Sequence, residues 1–192
     1  MSRVFVPADK HDAFVAAAVR LARARVVGPQ WDPATEMGPL VDGAQMERVL
    51  GYVAAGVAGG ARVATGGARL GAAGCFVEPT ILTGVEDGNV VAREEIFGPV
   101  MCVLAYRGGL GEAIARANAT PFGLAASVLT GDVGTALRAA RELRAGTVWV
   151  NTHGVFDPSM PYGGLGESGL GKEYGEEGLA AYMETKTVVL TG

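Results

Sequence analysis

The chain carries few side chains able to do covalent chemistry: its thiols are Cys75 and Cys102, and its imidazoles are His11 and His153. Two cysteines make neither a disulfide framework nor a Cys-rich metal site, and two histidines so far apart do not suggest a zinc centre. Cys75 precedes Phe76-Val77-Glu78-Pro79-Thr80, and Cys102 sits inside an apolar β-like run where a small buried hydrophobe is the expected role. Neither has a neighbouring base or helix N-terminus to lower its pKa, so neither reads as a nucleophile. His153 follows a strand-ending Asn in a loop and reads as structural or solvated. Two glycine patterns look like phosphate sites. Gly164-Leu165-Gly166-Glu167-Ser168-Gly169 is a literal GxGxxG, but the residues before it are loop-like and no βαβ unit follows, as a dinucleotide fingerprint requires. Gly166 to Gly171-Lys172 has the Walker spacing, yet Glu173 stands where a magnesium-binding Ser or Thr belongs and would repel phosphate. Both patterns read as a glycine-rich crossing of two backbone segments.

The elements that must hold these residues alternate between short β-rich runs and helical periods. Residues 3–6 read as a strand ended by Pro7, and Asp9 as the cap of a helix reaching a basic turn at Arg20, Arg23 and Arg25. Asp42 opens a second helix to about Ala58, with Met46, Val49, Leu50 and Val53 on its apolar face and Gly59-Gly60 as its stop. Strands are expected at 61–65, 76–82, 100–106 and 124–130, with helices at 112–118 and, capped by Asp132, at 132–143. Residues 147–150 form an almost wholly apolar strand, the pattern of one buried on both faces of a parallel sheet. A Gly-rich loop at 161–171, a helical stretch at 176–182 and a last strand at 187–190 complete the chain. This alternation predicts an α/β fold with a mostly parallel sheet flanked by helices.

A chain of 192 residues suffices for one hydrophobic core, and 49% hydrophobic against 19% charged residues excludes disorder as its main state. The net charge of −4 and the lack of a basic stripe argue against nucleic acid or an anionic membrane as partner. With no apolar targeting segment and no run of about 18 apolar residues, a cytoplasmic location is expected.

Three segments together resemble the aldehyde dehydrogenase superfamily: Glu94-Glu95-Ile96-Phe97-Gly98-Pro99-Val100, Gly146-Thr147-Val148-Trp149-Val150-Asn151, and Pro161-Tyr162-Gly163-Gly164 with Ser168-Gly169. Ser2-Arg3-Val4-Phe5-Val6, Glu36-Met37-Gly38-Pro39-Leu40-Val41, Phe76-Val77-Glu78-Pro79-Thr80 and Pro121-Phe122-Gly123-Leu124-Ala125 agree with it in order and spacing. The resemblance implies oxidation of an aldehyde to a carboxylic acid with NAD or NADP, through a cysteine thiolate that attacks the carbonyl. It implies that Glu95 holds the nicotinamide-ribose hydroxyls, as a carboxylate accepting two hydrogen bonds can, and that Phe97 packs beside the nicotinamide. Gln45 and Arg48, three apart on one helix face, match positions that reach the adenosine ribose. Phe156, Asp157 and Tyr162 match the outer substrate tunnel, where an aromatic pair favours apolar or aromatic aldehydes, and the stretch from Asn151 to Pro161 resembles members acting on aryl or arylalkyl aldehydes. The resemblance further implies a partial catalytic domain at 1–183, an oligomerisation strand at 184–192, and a homo-oligomer (dimer or tetramer) at full length. In the family the nucleophile lies a few residues before the Ser-Arg pair, which here follows Met1 directly, and the dinucleotide-binding domain lies further upstream. No catalytic residue is therefore assigned, and the chain alone is expected to be inactive. The alternatives are one half of a split enzyme, or a non-catalytic domain docking on full-length relatives through its last strand.

Overall fold

The computed structural model describes residues 2–192. They form two compact units, one ending at Gly109 and one beginning at Leu110.

The first unit runs β1 (Arg3–Pro7), α1 (His11–Ala24), α2 (Gly43–Ala58), β2 (Arg62–Thr65), β3 (Thr80–Thr83), α3 (Val90–Arg93) and β4 (Val100–Tyr106). Its sheet has the order β1-β4-β3-β2, with β1 and β3 parallel to β4 and β2 antiparallel to β3. Because β4 is central and covered on both faces, its consecutive residues Cys102, Val103 and Leu104 are all buried. Alternation then sorts the core. Val100, Cys102 and Leu104 pack with Met46, Val49 and Val53 of α2, whereas Val103 joins Val6 and Ile81 beneath Phe14, Val15 and Val19 of α1. Each fully buried side chain of this size contributes roughly 1.5–3 kcal/mol of transfer free energy.

Local chemistry explains most boundaries. Asp42 caps α2 by accepting from the Gln45 N–H at 2.8 Å, and the helix stops at Gly59, with Gly60 at φ 97°. Asp9 is not the cap of α1: Lys10 holds that place without a side-chain bond, its N–H turned back to the Pro7 carbonyl at 2.9 Å. The strand expected at 76–82 begins at Thr80, since upstream Val77 makes an isolated bridge to Arg69 and Pro79 has no N–H to add to a ladder. The short α3 was not foreseen. Buried Asn89 caps it through the Val91 N–H and donates to the carbonyls of Gly56 and Gly59, so one side chain closes α2 and opens α3.

The second unit contains α4 (Gly109–Asn118, which starts at the division), β5 (Ala125–Val128), α5 (Val133–Glu142), β6 (Thr147–Val150) and α6 (Gly175–Ala180). Asp132 caps α5 as expected, accepting from the Thr135 N–H at 2.6 Å. Strands β5 and β6 form a two-stranded parallel sheet. The expectation that 147–150 is buried on both faces fails: Trp149 is buried but Val150 is exposed, because in a two-stranded sheet each strand is an edge. The strand expected at 187–190 is also absent. A strand needs a ladder partner, the described residues offer none there, and Val188, Val189 and Leu190 are exposed. Among the described residues no helix is long and apolar enough to cross a membrane.

Candidate functional site

In the first unit four of the singled-out residues come together. The Asn89-capped turn and α3 lead into an extended Glu94, after which the chain crosses the N-terminal half of α2 before entering β4. Ile96 is buried and anchors the crossing, whereas Glu95 and Phe97 are exposed. Phe97 has φ 52°, a left-handed conformation that a bulky residue adopts only where its surroundings impose it, and its ring stands 69% exposed. The surroundings are on α2. The Gln45 amide donates from Nε2 to the carbonyls of Ile96 at 3.0 Å and Phe97 at 2.9 Å. Arg48 donates from Nη2 to the Glu95 carbonyl at 3.2 Å and to the Tyr52 hydroxyl at 3.3 Å, with its guanidinium over the Tyr52 ring. Both side chains, which the resemblance matches to positions reaching the adenosine ribose, are thus bonded to the backbone of 95–97. The sequence separations of 47 to 52 residues hid this from local pattern.

In the second unit the loop after β6 forms an aromatic cluster. Phe156 and Tyr162 meet edge to face with centroids 4.8 Å apart, and Phe156 meets Trp149 the same way at 5.6 Å. Trp149 fixes the loop by donating from Nε1 to the Val155 carbonyl at 2.8 Å. His153 completes the cluster, its ring edge-on to Trp149 at 5.0 Å and its Nδ1 2.7 Å from Ser127 Oγ. Asp157 does not join the rings. Its carboxylate accepts from the Ser159 N–H and hydroxyl, and those two bonds hold it below the usual carboxylate range. Composition alone gave no sign that Trp149 and His153 belong here, although β6 ends at Val150 and so puts Trp149 beside the loop and His153 within it.

The GxGxxG segment is a backbone crossing. Ser168 Oγ accepts from the Gly123 N–H at 2.9 Å, Leu165 N–H donates to the Gly123 carbonyl, and a Cβ on Gly163 would meet the Gly171 carbonyl oxygen at 2.6 Å. Lys172 is spent on this crossing, donating from Nζ to the carbonyls of Gly163 (2.6 Å) and Gly164 (3.2 Å). Beside it Tyr162 and Glu173 exchange reciprocal backbone bonds of 2.7 Å.

Neither thiol is set up for attack. Cys102 is fully buried, donates to the Val91 carbonyl at 3.4 Å, and burial pushes its pKa up to about 11. Cys75 is half-buried against the α2 side of the core. Among the described residues no group of three or more His, Cys, Asp or Glu could hold a metal ion.

A sheet sandwiched by α1 and α2, an exposed Glu-x-Phe crossing held by a helix, and an aromatic loop after a parallel strand define the class: this chain belongs to the aldehyde dehydrogenase family, whose model matches residues 1–188. It is 48% identical over 187 residues to the mitochondrial aldehyde dehydrogenase of Leishmania tarentolae, covering 97% of this chain and 37% of that protein. Identity to the human mitochondrial aldehyde dehydrogenase is 46% over 189 residues, covering 98% and 36% respectively. Among solved structures, the NAD+ complex of an aldehyde dehydrogenase from Bacillus cereus superposes with TM-score 0.94 at 43% identity, covering 97% of this chain and 38% of that one. A betaine aldehyde dehydrogenase from Staphylococcus aureus in complex with NAD+ gives TM-score 0.91 at 36% identity, covering 94% and 37%. The 192 residues thus span less than two fifths of these relatives' length.

Proposed function

We propose that these residues serve an NAD- or NADP-dependent oxidation of an aldehyde to a carboxylic acid. The observation that carries the reading is the crossing at 95–98: an exposed carboxylate and an exposed aromatic ring are held two residues apart by backbone bonds to α2. The residues fit a nicotinamide nucleoside. Glu95 accepts two hydrogen bonds from a ribose diol, and Phe97, kept out of the core by its left-handed backbone, offers a face to a planar ring. The cofactor's part is to accept hydride; the part of Glu95 and Phe97 is to orient it, and Gln45 and Arg48 belong to the same cofactor-binding set. Phe156 and Tyr162 supply an apolar wall suited to aryl or arylalkyl aldehydes, with Asp157 at its end.

The nucleophile comes from outside these residues, since Cys102 is a buried neutral thiol and Cys75 packs on the core. The 192-residue chain alone is therefore inactive, whether it is the C-terminal part of one polypeptide or one half of a split enzyme. Residues 1–183 act as part of a catalytic domain. Residues 184–192 act as an oligomerisation strand, as the exposure of Val188, Val189 and Leu190 favours, giving a dimer or tetramer. The net charge of −4 accords with a cytoplasmic protein without nucleic-acid or membrane partners.

The test is NAD(P)-dependent oxidation by an intact dehydrogenase carrying these residues, with phenylacetaldehyde and acetaldehyde compared. Activity that falls about tenfold or more in Glu95→Gln, and a phenylacetaldehyde preference lost in Phe156→Ala, supports the reading. No aldehyde oxidation by the intact protein overturns it.

A further inference from the structure

Gln45 and Arg48 raise a question that their helix positions alone do not answer: what their donors are for. The two side chains place three hydrogen bonds on three consecutive carbonyls, those of Glu95, Ile96 and Phe97. That segment has no ladder partner, being neither helix nor strand, and its third residue is left-handed. A left-handed backbone conformation at a bulky residue persists only where neighbouring groups over-determine it. Both donors of the Gln45 amide are engaged on carbonyls, and Arg48 is further fixed by Tyr52 through its hydroxyl and ring face. Val49, the residue after Arg48 on α2, packs so closely on Gly98 that a Cβ there would lie 2.5 Å from its Cγ2. One turn of α2 is thus shaped as a mould for residues 95–98.

We propose that Gln45 and Arg48 are positioning residues for Glu95 and Phe97, serving the nicotinamide half of the cofactor through the loop backbone rather than by contact with the adenosine ribose. The proposal rests on the cofactor reading above. Two mechanisms separate on ligands that contain one half of the cofactor. A direct contact with the adenosine ribose is felt equally by NAD and by ADP, which lacks the whole nicotinamide riboside. A mould for 95–97 is felt by NAD and by the rate of hydride transfer, while ADP is indifferent. Misplacing a reacting group by about 1 Å costs up to about a hundredfold in rate, so the effect is large enough to measure.

The experiment uses an intact dehydrogenase carrying these residues, with Gln45→Met, Gln45→Ala, Arg48→Met and Arg48→Lys. Dissociation constants for NAD and ADP are measured by calorimetry, and hydride transfer by single-turnover absorbance. Expected is a loss of about tenfold or more in NAD affinity or hydride transfer for Gln45→Met and Arg48→Met, with ADP affinity held within about twofold and partial rescue by Arg48→Lys. A parallel loss of ADP affinity overturns the proposal, as does an unchanged hydride step and NAD affinity. Should the full-length variants fail to fold, hydrogen exchange on the 192-residue chain reads the loop itself. Faster exchange at 94–98 in Gln45→Met supports the mould, and unchanged exchange overturns it. Glu95→Gln separates the two readings: if it binds and turns over NAD like the parent, the cofactor reading falls, whereas a defective Glu95→Gln beside an unaltered Gln45→Met overturns only the positioning role.

Discussion

Gly98 faces the side chain of Val49 with no room for another carbon: a Cβ at Gly98 would stand 2.5 Å from Val49 Cγ2 and 2.8 Å from Cγ1. Val49 is fully buried at the α2 face of the core and cannot retreat. Gly98→Ala should therefore cost about 1–3 kcal/mol by overpacking. Val49→Ala costs a similar amount, about 1–3 kcal/mol, by losing buried methyls. In the double variant the new methyl enters the space vacated, so the costs should fall short of additivity by about 0.5 kcal/mol or more. Urea unfolding of the four proteins measures this. Additive costs would show that the glycine is not there on account of Val49.

Phe97 offers a separation of stability from function. Its φ of 52° is unfavourable for any residue with a Cβ and most so for a β-branched one, and its exposed ring contributes little burial. Phe97→Gly should leave stability within about 1 kcal/mol of the parent, as relief of strain offsets the greater freedom of the unfolded glycine chain. Phe97→Val should fall below Phe97→Gly by about 1 kcal/mol or more. Both should impair use of the cofactor in the intact dehydrogenase. A Phe97→Val variant as stable as Phe97→Gly would mean that the left-handed conformation is not maintained in solution.

Lys172 tests whether the glycine-rich loop is scaffolding for the aromatic wall. Its ammonium bonds the carbonyls of Gly163 and Gly164, and the adjacent Glu173 is locked to Tyr162 by two backbone bonds. Lys172→Met keeps the apolar stem but strands two partly buried carbonyls, so it should cost about 1.5–3 kcal/mol. It should also weaken Tyr162 against Phe156. The coupling of those rings, about 0.5–1.5 kcal/mol in a double-mutant cycle, should shrink in the Lys172→Met background. An undiminished coupling would detach Lys172 from the wall.

What the sequence disclosed and what it concealed divide along a physical line. Asp42 and Asp132 announce their helices because a cap satisfies amides two or three residues away, within the reach of local pattern. Asp9 misled for the same reason: local propensity favoured it, while a turn back to the Pro7 carbonyl put Lys10 at the cap. Residues 187–190 have β composition without strand structure, because pairing is decided by a partner that composition does not supply. Glu95, Phe97, Phe156 and Tyr162 were singled out only through family resemblance. Their grouping with Gln45, Arg48, Trp149 and His153 depends on contacts between segments that cross at a distance, and no periodicity records those.

Cys102 should behave as a core residue with a titration signature. Burial raises its pKa from an ordinary 9.0 to about 11, so between those values the unfolded chain loses a proton that the native chain keeps. The native state then binds more protons than the unfolded state. Stability from this thiol is fully present below pH 9, falls as pH rises through the window, and is lost above about 11. The difference between the parent and Cys102→Ala in denaturant midpoint should therefore be constant below pH 9 and move toward the variant above it. Alkylation gives an independent reading at neutral pH. Iodoacetamide should modify half-buried Cys75 first, and reach Cys102 only at the rate of global unfolding, since a sulfur with no exposed surface must be uncovered before it can react. Rapid alkylation of Cys102 in the native chain would overturn its assignment to the core and reopen it as a nucleophile.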